Sequence, residues 1–308
     1  MISIVCPFYN EEKSIQKFFD RLMPVLDATG EEFEIVCVND GSRDGTLAGL
    51  LAAQKTLSGV RVVDLSRNFG KEAALTAGID QAHGDAVIPI DADLQDPPEL
   101  IPRLLAEWRD GFEVVLARRS DRSTDSWLKA RTAQWFYRIH NRVADLQLPE
   151  NVGDFRLMDR SVIEAIRRLP ERQRFMKGIF AWVGFRSTSV EYAREPRAAG
   201  ASKLGGWRLW NLALEGITSF STAPLRVWTY LGLVVAGLAF VYGALIIVRT
   251  LVYGIDLPGY ASLLVAITFL GGLQLMGLGV VGEYLGRVYN ESKQRPVYIV
   301  RKVHEPQH

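Results

Sequence analysis

The sequence predicts an α/β domain built on a wound sheet, followed by two helices long enough to cross a bilayer. Three observations carry that prediction. Short apolar runs at residues 2–6, 33–38, 60–65 and 87–90 alternate with stretches of helical periodicity, the pattern of strands joined by crossover helices. Each run ends in a loop of acids, amides and turn formers, and in such sheets those loops meet at the carboxyl edge, where ligands bind. Residues 227–248 and 257–282 contain no charged side chain, and each stretch exceeds the roughly 20 residues of a spanning helix.

A chain of 308 residues is ample for a sizeable core. Its 36 basic and 35 acidic side chains leave a formal charge of +1, so no global field favours nucleic acid and none is expected as a partner. Cys6 and Cys37 lie inside apolar runs and read as small buried hydrophobes, too few for a disulfide framework. His83, His140, His304 and His308 are scattered, which argues against a histidine zinc site.

The first strand, Ile2-Ser3-Ile4-Val5-Cys6, starts almost at residue 1 and leaves no room for a signal peptide. Pro7-Phe8-Tyr9-Asn10-Glu11-Glu12 follows as a loop, after which Ile15, Phe18, Phe19, Leu22 and Met23 have the spacing of a helix with one apolar face. The second strand ends in Asn39-Asp40-Gly41-Ser42-Arg43-Asp44-Gly45-Thr46, a loop able to cap a helix through Leu47, Leu50 and Leu51. The third leads through Ser66-Arg67-Asn68-Phe69-Gly70-Lys71 into a helix over residues 72–82. The fourth ends in Asp91-Ala92-Asp93-Leu94-Gln95-Asp96, and Pro97-Pro98 stops the chain from folding back at once. On this topology Asp40 and Asp91 are neighbours in space. No Gly-x-Gly-x-x-Gly follows the first strand and no Gly-x-x-x-x-Gly-Lys-Ser/Thr loop occurs, so a nucleotide is held differently from a dehydrogenase or an ATPase.

Asp91 and Asp93 are two residues apart, so a strand continuing through them would project both carboxylates from one face. Like charges repel there, and a divalent cation removes the cost. Carboxylate and amide oxygens suit hard Mg²⁺ or Mn²⁺ with open positions for substrate phosphates. A solvated strand-end turn is the competing reading.

Beyond a helix at residues 98–108, a strand at 113–117 runs into Arg118-Arg119. A long helix over 127–143 sets Lys129, Arg131, Arg138 and Arg142 beside Trp135, Phe136 and Tyr137, a face for lipid head groups or simply for water. Asp154 stands in Asn151-Val152-Gly153-Asp154-Phe155-Arg156-Leu157-Met158, before a helix at 160–169. In a cleft, desolvation would raise its pKa and make it a better proton acceptor; otherwise it caps a helix. Residues 171–182 are basic and aromatic together, suited to an anionic group on an apolar tail or to an exposed loop. A strand at 187–192 leads to Arg194, Arg197 and Gly200-Ala201-Ser202-Lys203-Leu204, where small residues let backbone N–H groups approach a phosphate and Lys203 adds a point charge. Trp207, Trp210, Leu214, Ile217 and Phe220 recur at helical spacing, along a membrane surface or in a core.

Arg226 precedes the first span, and Arg287, Lys293, Arg295, Arg301 and Lys302 follow the second, whereas Arg249 is alone near the connector. The positive-inside rule puts both termini in the cytoplasm of a multi-pass inner-membrane protein. Gly271-Gly272, Gly277, Gly279, Gly282 and Gly286 permit close helix packing and make self-association an expectation, and Glu283 belongs at the interface. The division is 1–203 for the α/β domain, 204–224 for an interfacial amphipathic helix, 225–249 and 260–285 for the spans, 250–259 for their connector and 286–308 for a tail.

The five blocks Pro7–Glu12, Asn39–Thr46, Asp91–Glu99, Gly153–Leu157 and Ser202-Lys203, in this order and followed by two spans, closely resemble the polyprenyl-phosphate glycosyltransferases of glycosyltransferase family 2. That family includes dolichyl-phosphate mannose synthase and bacterial undecaprenyl-phosphate glucosyltransferases, and the two spans match the bacterial branch. The resemblance implies a Rossmann-like mixed sheet of the glycosyltransferase A type, a nucleotide-sugar donor and a polyprenyl phosphate acceptor delivered by membrane lipids. It implies a nucleoside pocket from Pro7, Tyr9, Glu11 and Asp40, and Mg²⁺ or Mn²⁺ held by Asp91, Asp93 and Gln95. It also implies catalytic roles for Asp93 and Asp154, as a base or as a positioner of the acceptor. Arg118, Arg174, Arg197, Ser202 and Lys203 become candidates for gripping donor or acceptor phosphates.

The reaction expected from the resemblance is a single inverting displacement, with UDP-glucose the first donor. GDP-mannose, UDP-N-acetylglucosamine and UDP-aminoarabinose derivatives would suit the same metal site. A processive polysaccharide synthase is the nearer alternative, although the Gln-x-x-Arg-Trp pattern of many such enzymes is absent. A non-catalytic membrane scaffold is the other, against which the intact acids stand.

Overall fold

The apolar runs become strands β1 (Ile2–Phe8), β2 (Phe33–Asn39), β3 (Val60–Leu65) and β4 (Ala86–Pro89). They are joined by helices α1 (Ile15–Thr29), α2 (Thr46–Thr56) and α3 (Lys71–Gln81). A 3-10 turn (Pro98–Leu100) opens α4 (Ile101–Arg109), with a proline in the first turn of each, where a missing N–H costs nothing. Then come β5 (Val114–Arg119), β6 (Val152–Asp159), α5 (Arg160–Arg168), α6 (Met176–Trp182) and β7 (Ser187–Tyr192). Two long helices, α7 (Ala223–Tyr253) and α8 (Tyr260–Ser292), precede β8 (Val300–His304). This computed structural model describes residues 1–120, 152–172, 174, 176–192, 223–254 and 259–306. The helix expected at 127–143, the interfacial helix expected at 204–224, and Arg194, Arg197, Ser202 and Lys203 lie outside the described residues.

All eight strands form one sheet in the order β7-β5-β6-β4-β1-β2-β3-β8. β1 to β4 run parallel, while β6 and β8 are antiparallel to their neighbours, so the sheet is mixed. Both faces are covered. Phe18, Phe19, Leu22, Leu26, Leu50 and Leu104 pack on one side, and Ala74, Leu75, Ile79, Val162, Ile166 and Ile179 on the other. Each fully buried large apolar side chain contributes about 1.5–3 kcal/mol relative to exposure. Cys6 and Cys37 are buried within these layers, and burial pushes both thiols well up, so they pack as small hydrophobes.

Four regions differ from expectation. β4 stops at Pro89, and Ala92-Asp93 form a turn with Leu94 in the left-handed region at φ 54°. Asp91 and Asp93 therefore do not share a strand face. Residues 152–159 form a strand, where Asp154 had been placed only in a small-residue surround before a helix, and residues 176–182 form a helix. Beyond residue 286 there is no simple tail. α8 runs on to Ser292, and residues 300–304 return to the sheet as an edge strand on β3.

That return is firmly tied. Ser66 N–H donates to Ile299 O at 2.9 Å, and Gln54 Nε2 donates to His304 O and Glu305 O at 2.8 and 2.9 Å. Tyr298 Oη donates to Asp80 at 2.7 Å, and Arg172 N–H to the Glu291 carboxylate at 2.9 Å. The two long helices, by contrast, have little protein cover: Phe240 is 79% exposed and Leu275 71%. Their apolar lengths are 27 and 28 residues, about 40 Å at 1.5 Å per residue and enough for the hydrocarbon core. Water would not tolerate so much bare apolar surface, so the protein is membrane-associated. The helices meet where the Trp228 indole lies against Gly277; a Cβ there would sit 1.8 Å from Trp228 Nε1. Glu283 pairs with Arg287 at 3.1 Å.

Candidate active site

The site forms where loops leave the carboxyl ends of β1 to β4. The first two loops are laced together. Asn10 N–H donates to Ser42 Oγ at 3.1 Å, Arg43 N–H to Asn10 Oδ1 at 2.9 Å, and Glu11 N–H to Thr46 Oγ1 at 2.9 Å. Glu11 also accepts from Ser14 Oγ at 2.7 Å. Tyr9 stands 44% exposed at this rim. Asp40 is buried, and its two oxygens accept from Phe69 N–H at 2.7 Å and Gly70 N–H at 2.9 Å. It therefore organises the loop after β3. Gly41, at φ 60°, makes this possible: a Cβ would come 2.3 Å from the Arg67 backbone carbon.

The third and fourth loops meet across Lys71. Its ammonium lies 2.8 Å from the Asp91 carboxylate and 2.7 Å from Asp154 Oδ2. The sheet explains why acids 63 positions apart in sequence are neighbours. β6 runs antiparallel to β4 with Val87 opposite Met158, so stepping back from Met158 to Asp154 follows the direction in which the chain leaves β4 for Asp91. An antiparallel strand thus delivers its first residues to the edge where its parallel neighbours end.

The two acids respond differently. Burial raises the Asp91 carboxyl, an effect that Lys71 only partly offsets and that Asp154 and Asp93 reinforce. Burial alone would raise Asp154 as well, but Lys71, Lys177 and Arg156 outweigh it and hold the group down at about 2. The expectation of a raised pKa there is therefore corrected: cations close around this carboxylate. Arg156 is buried beneath it, donating to Gly153 O at 2.7 Å and stacking 4.2 Å from the centre of the Phe180 ring. Asp154 Oδ1 is buried without a hydrogen-bond partner among the described residues. Next to Lys71, Glu72 accepts from Met176 N–H at 3.0 Å, and burial with the nearby Asp154 charge pushes its carboxyl up to about 7.

Not every expected residue joins this cluster. Arg118 is exposed near the end of β5, in register with Val152. Arg174 donates to Glu171 O and Leu169 O at 3.1 and 3.0 Å, fixing the chain after α5. Lys71, Glu72 and Arg156 were not singled out from the sequence. The signal for Lys71 was present, since it closes the loop after β3 at the ligand edge; its acidic partners were not readable without the register of β6.

Asp91 and Asp93 carry hard carboxylate oxygens, and the Lys71 ammonium lies against Asp91. Among the described residues no group of three His, Cys, Asp or Glu side chains gathers closely enough to hold a metal alone.

A wound α/β sheet with an acidic turn at its carboxyl edge, joined to an apolar helical hairpin, defines the class. The chain belongs to glycosyl transferase family 2, whose sequence model matches residues 3–167. A second model, the GtrB C-terminal hairpin, matches residues 223–288, the two long helices. The SfII prophage-derived bactoprenol glucosyl transferase of Shigella flexneri is 57% identical over 305 residues, 98% of each chain. The prophage bactoprenol glucosyl transferase homolog of Escherichia coli K12 is 55% identical over 304 residues, 98% of this chain and 99% of the other. Among solved structures, a mannosyltransferase from Pyrobaculum calidifontis in complex with GDP-Man and Mn²⁺ is 17% identical, covering 69% of this chain and 60% of that one with a TM-score of 0.48.

Proposed function

We propose that the chain transfers glucose from UDP-glucose to undecaprenyl phosphate at the cytoplasmic face of the inner membrane, with inversion at the anomeric carbon. The observation that carries this reading is the Asp91–Lys71–Asp154 bridge, which joins a diphosphate-side acid to an acceptor-side acid in a chain with a membrane hairpin. Its near full-length relatedness to bactoprenol glucosyl transferases supports the choice of sugar and lipid.

Asp91, Asp93 and Gln95 would hold Mg²⁺ or Mn²⁺, which when bound supplies neutralisation of the leaving diphosphate. Pro7, Tyr9, Glu11 and Asp40 line the nucleoside side, with Arg118 at the rim. The lipid phosphate is already anionic at neutral pH, so its oxygen attacks without a proton having to be removed. Asp154, held ionised at a pKa of about 2, is a weak base and a strong acceptor of hydrogen bonds, which makes it a positioning group. Lys71 sits between two acids and lets a further anion approach them without bare charge repulsion. Arg174, Arg197, Ser202 and Lys203 are assigned to the acceptor phosphate or its approach.

The acceptor tail stays in the bilayer, since each CH₂ drawn into water costs about 0.8 kcal/mol. β1 to β7 precede the hairpin and β8 follows it in the same sheet, so a crossing hairpin has both ends on one side. The basic residues flanking the spans make that side the cytoplasm. The test incubates the detergent-solubilised protein with Mg²⁺, undecaprenyl phosphate and a panel of nucleotide sugars, followed by lipid mass analysis. One hexose on one lipid phosphate, from UDP-glucose, is expected; a polymer ladder, another sugar or no product overturns the assignment.

A further inference from the structure

We infer that Asp96, Tyr192 and Arg119 act as a positioning clamp for glycosyl transfer, fixing the acidic turn against the strands that carry the acceptor side. The inference rests on reading residues 91–96 as the donor-diphosphate turn. Asp96 is the far end of that turn and is buried at 4% exposure, an expensive place for a carboxylate without partners. Its partners come from two other strands. Tyr192 Oη, at the end of β7, donates to Asp96 Oδ1. Arg119, at the end of β5, donates through Nε to Tyr192 Oη at 3.4 Å and places Nη2 3.9 Å from Asp96 Oδ1. Ser120 N–H and Oγ donate to Tyr192 O at 2.9 and 3.0 Å, locking the ends of β5 and β7 together.

The clamp also brackets Asp154 through both of its chain neighbours. The Tyr192 ring stands edge-on to Phe155, with centroids 6.5 Å apart and planes at 87°. A Cβ on Gly153 would come 3.4 Å from Arg119 Nη2 and 4.0 Å from Asp96 Oδ2. The turn bearing Asp91 and Asp93 is therefore referenced to the strand bearing Asp154 at two places, the Lys71 bridge and this clamp. In this reading the three residues act through the turn and the strands they join. They set the distance over which the reaction occurs, and errors of about 1 Å in such distances cost on the order of 100-fold in rate.

The experiment uses the full-length protein in detergent with Tyr192→Phe, which deletes one hydroxyl and keeps the ring on Phe155, and Asp96→Leu, which removes the acceptor at similar size, as a second variant. Three readouts are taken: kcat and KM for transfer to undecaprenyl phosphate, UDP binding by calorimetry, and hydrolysis of UDP-glucose by water. The clamp predicts that Tyr192→Phe lowers kcat for transfer about 10-fold or more, while UDP affinity, donor KM and hydrolysis stay within about threefold, because alignment and not binding is lost. Asp96→Leu, which removes the acceptor, should lower kcat for transfer at least as far, and the double variant should be no slower than the worse single one, since both break one contact. Unchanged transfer in both variants overturns the clamp. So does a fall in transfer matched by equal losses of UDP affinity and hydrolysis, which means a general weakening of the fold. Wild-type protein that binds UDP and makes no lipid-linked sugar contradicts the proposed reaction instead, and is seen before any variant is compared.

Discussion

The two rims of the sheet each hold a charged cluster, and the clusters are built to opposite rules. At the amino ends of the strands, Glu34 accepts from Ser3 Oγ at 2.6 Å, from His83 N–H at 2.5 Å and from Arg61 at 3.0 Å, while Arg61 continues to Glu305 at 2.9 Å. Both oxygens are engaged. Despite its burial, those hydrogen bonds and Arg61 bring the Glu34 carboxyl below its ordinary range. At the carboxyl ends, one ammonium is shared by two acids, one carboxylate oxygen has no partner among the described residues, and Asp91 and Glu72 are pushed up. A saturated cluster stabilises the fold and has nothing left to offer. An unsaturated one stores interactions that a ligand completes.

Breaking the clusters in turn tests that contrast. Asp93→Asn should have the largest effect, lowering transfer by about 100-fold or more, on the scale of losing one electrostatic catalytic contact, with the far-UV circular dichroism unchanged. Full turnover would remove Asp93 from the site. Lys71→Met should follow, with transfer reduced about 10-fold to 100-fold; activity equal to wild type would show that the bridge is incidental. Glu34→Ala should do the reverse, costing about 1–3 kcal/mol of stability by leaving the buried Ser3 hydroxyl and the His83 N–H without their acceptor, with kcat per folded molecule unchanged. A loss of kcat there would mean that the two rims are coupled.

The smallest effect is the most specific. Glu72 binds its proton up to about pH 7 in the folded chain and only to its ordinary 4.5 when unfolded. Between those values folding takes up a proton, so this group's contribution falls as pH rises and its cost is complete above pH 7. Glu72→Gln should therefore match wild type below pH 4.5 and exceed it above pH 7, by about 1–3 kcal/mol in chemical denaturation. A pH-independent difference would assign the gain to packing.

Much of the parallel half of the sheet was legible because a buried strand in such a sheet is a continuous apolar run, and β1 to β4 are that. β6 was not, because Arg156 occupies a core position and interrupts the run, its guanidinium held by the Gly153 carbonyl and the Phe180 face in three dimensions only. β8 was not, because Val300-Arg301-Lys302-Val303-His304 has the basic composition of a tail, yet an edge strand with one wet face carries such residues well. Missing β6 left Asp154 without a location, and so left the Lys71 bridge invisible, although Asp91, Asp93 and Asp154 were each named. The clamp was invisible for the same reason: Asp96, Arg119 and Tyr192 meet only when β5, β6 and β7 lie side by side.

The return of residues 300–304 to β3 also sets an order of events during synthesis. The ribosome delivers β1 to β7 first, then both apolar helices, and only then the strand that covers the outer edge of β3. Until the hairpin has been made, that edge presents unpaired backbone groups, the kind of surface on which chains aggregate. Completion of the sheet therefore waits on translation of the two apolar helices. A nascent chain stalled between the two would display its own incompleteness to the quality-control machinery of the cell.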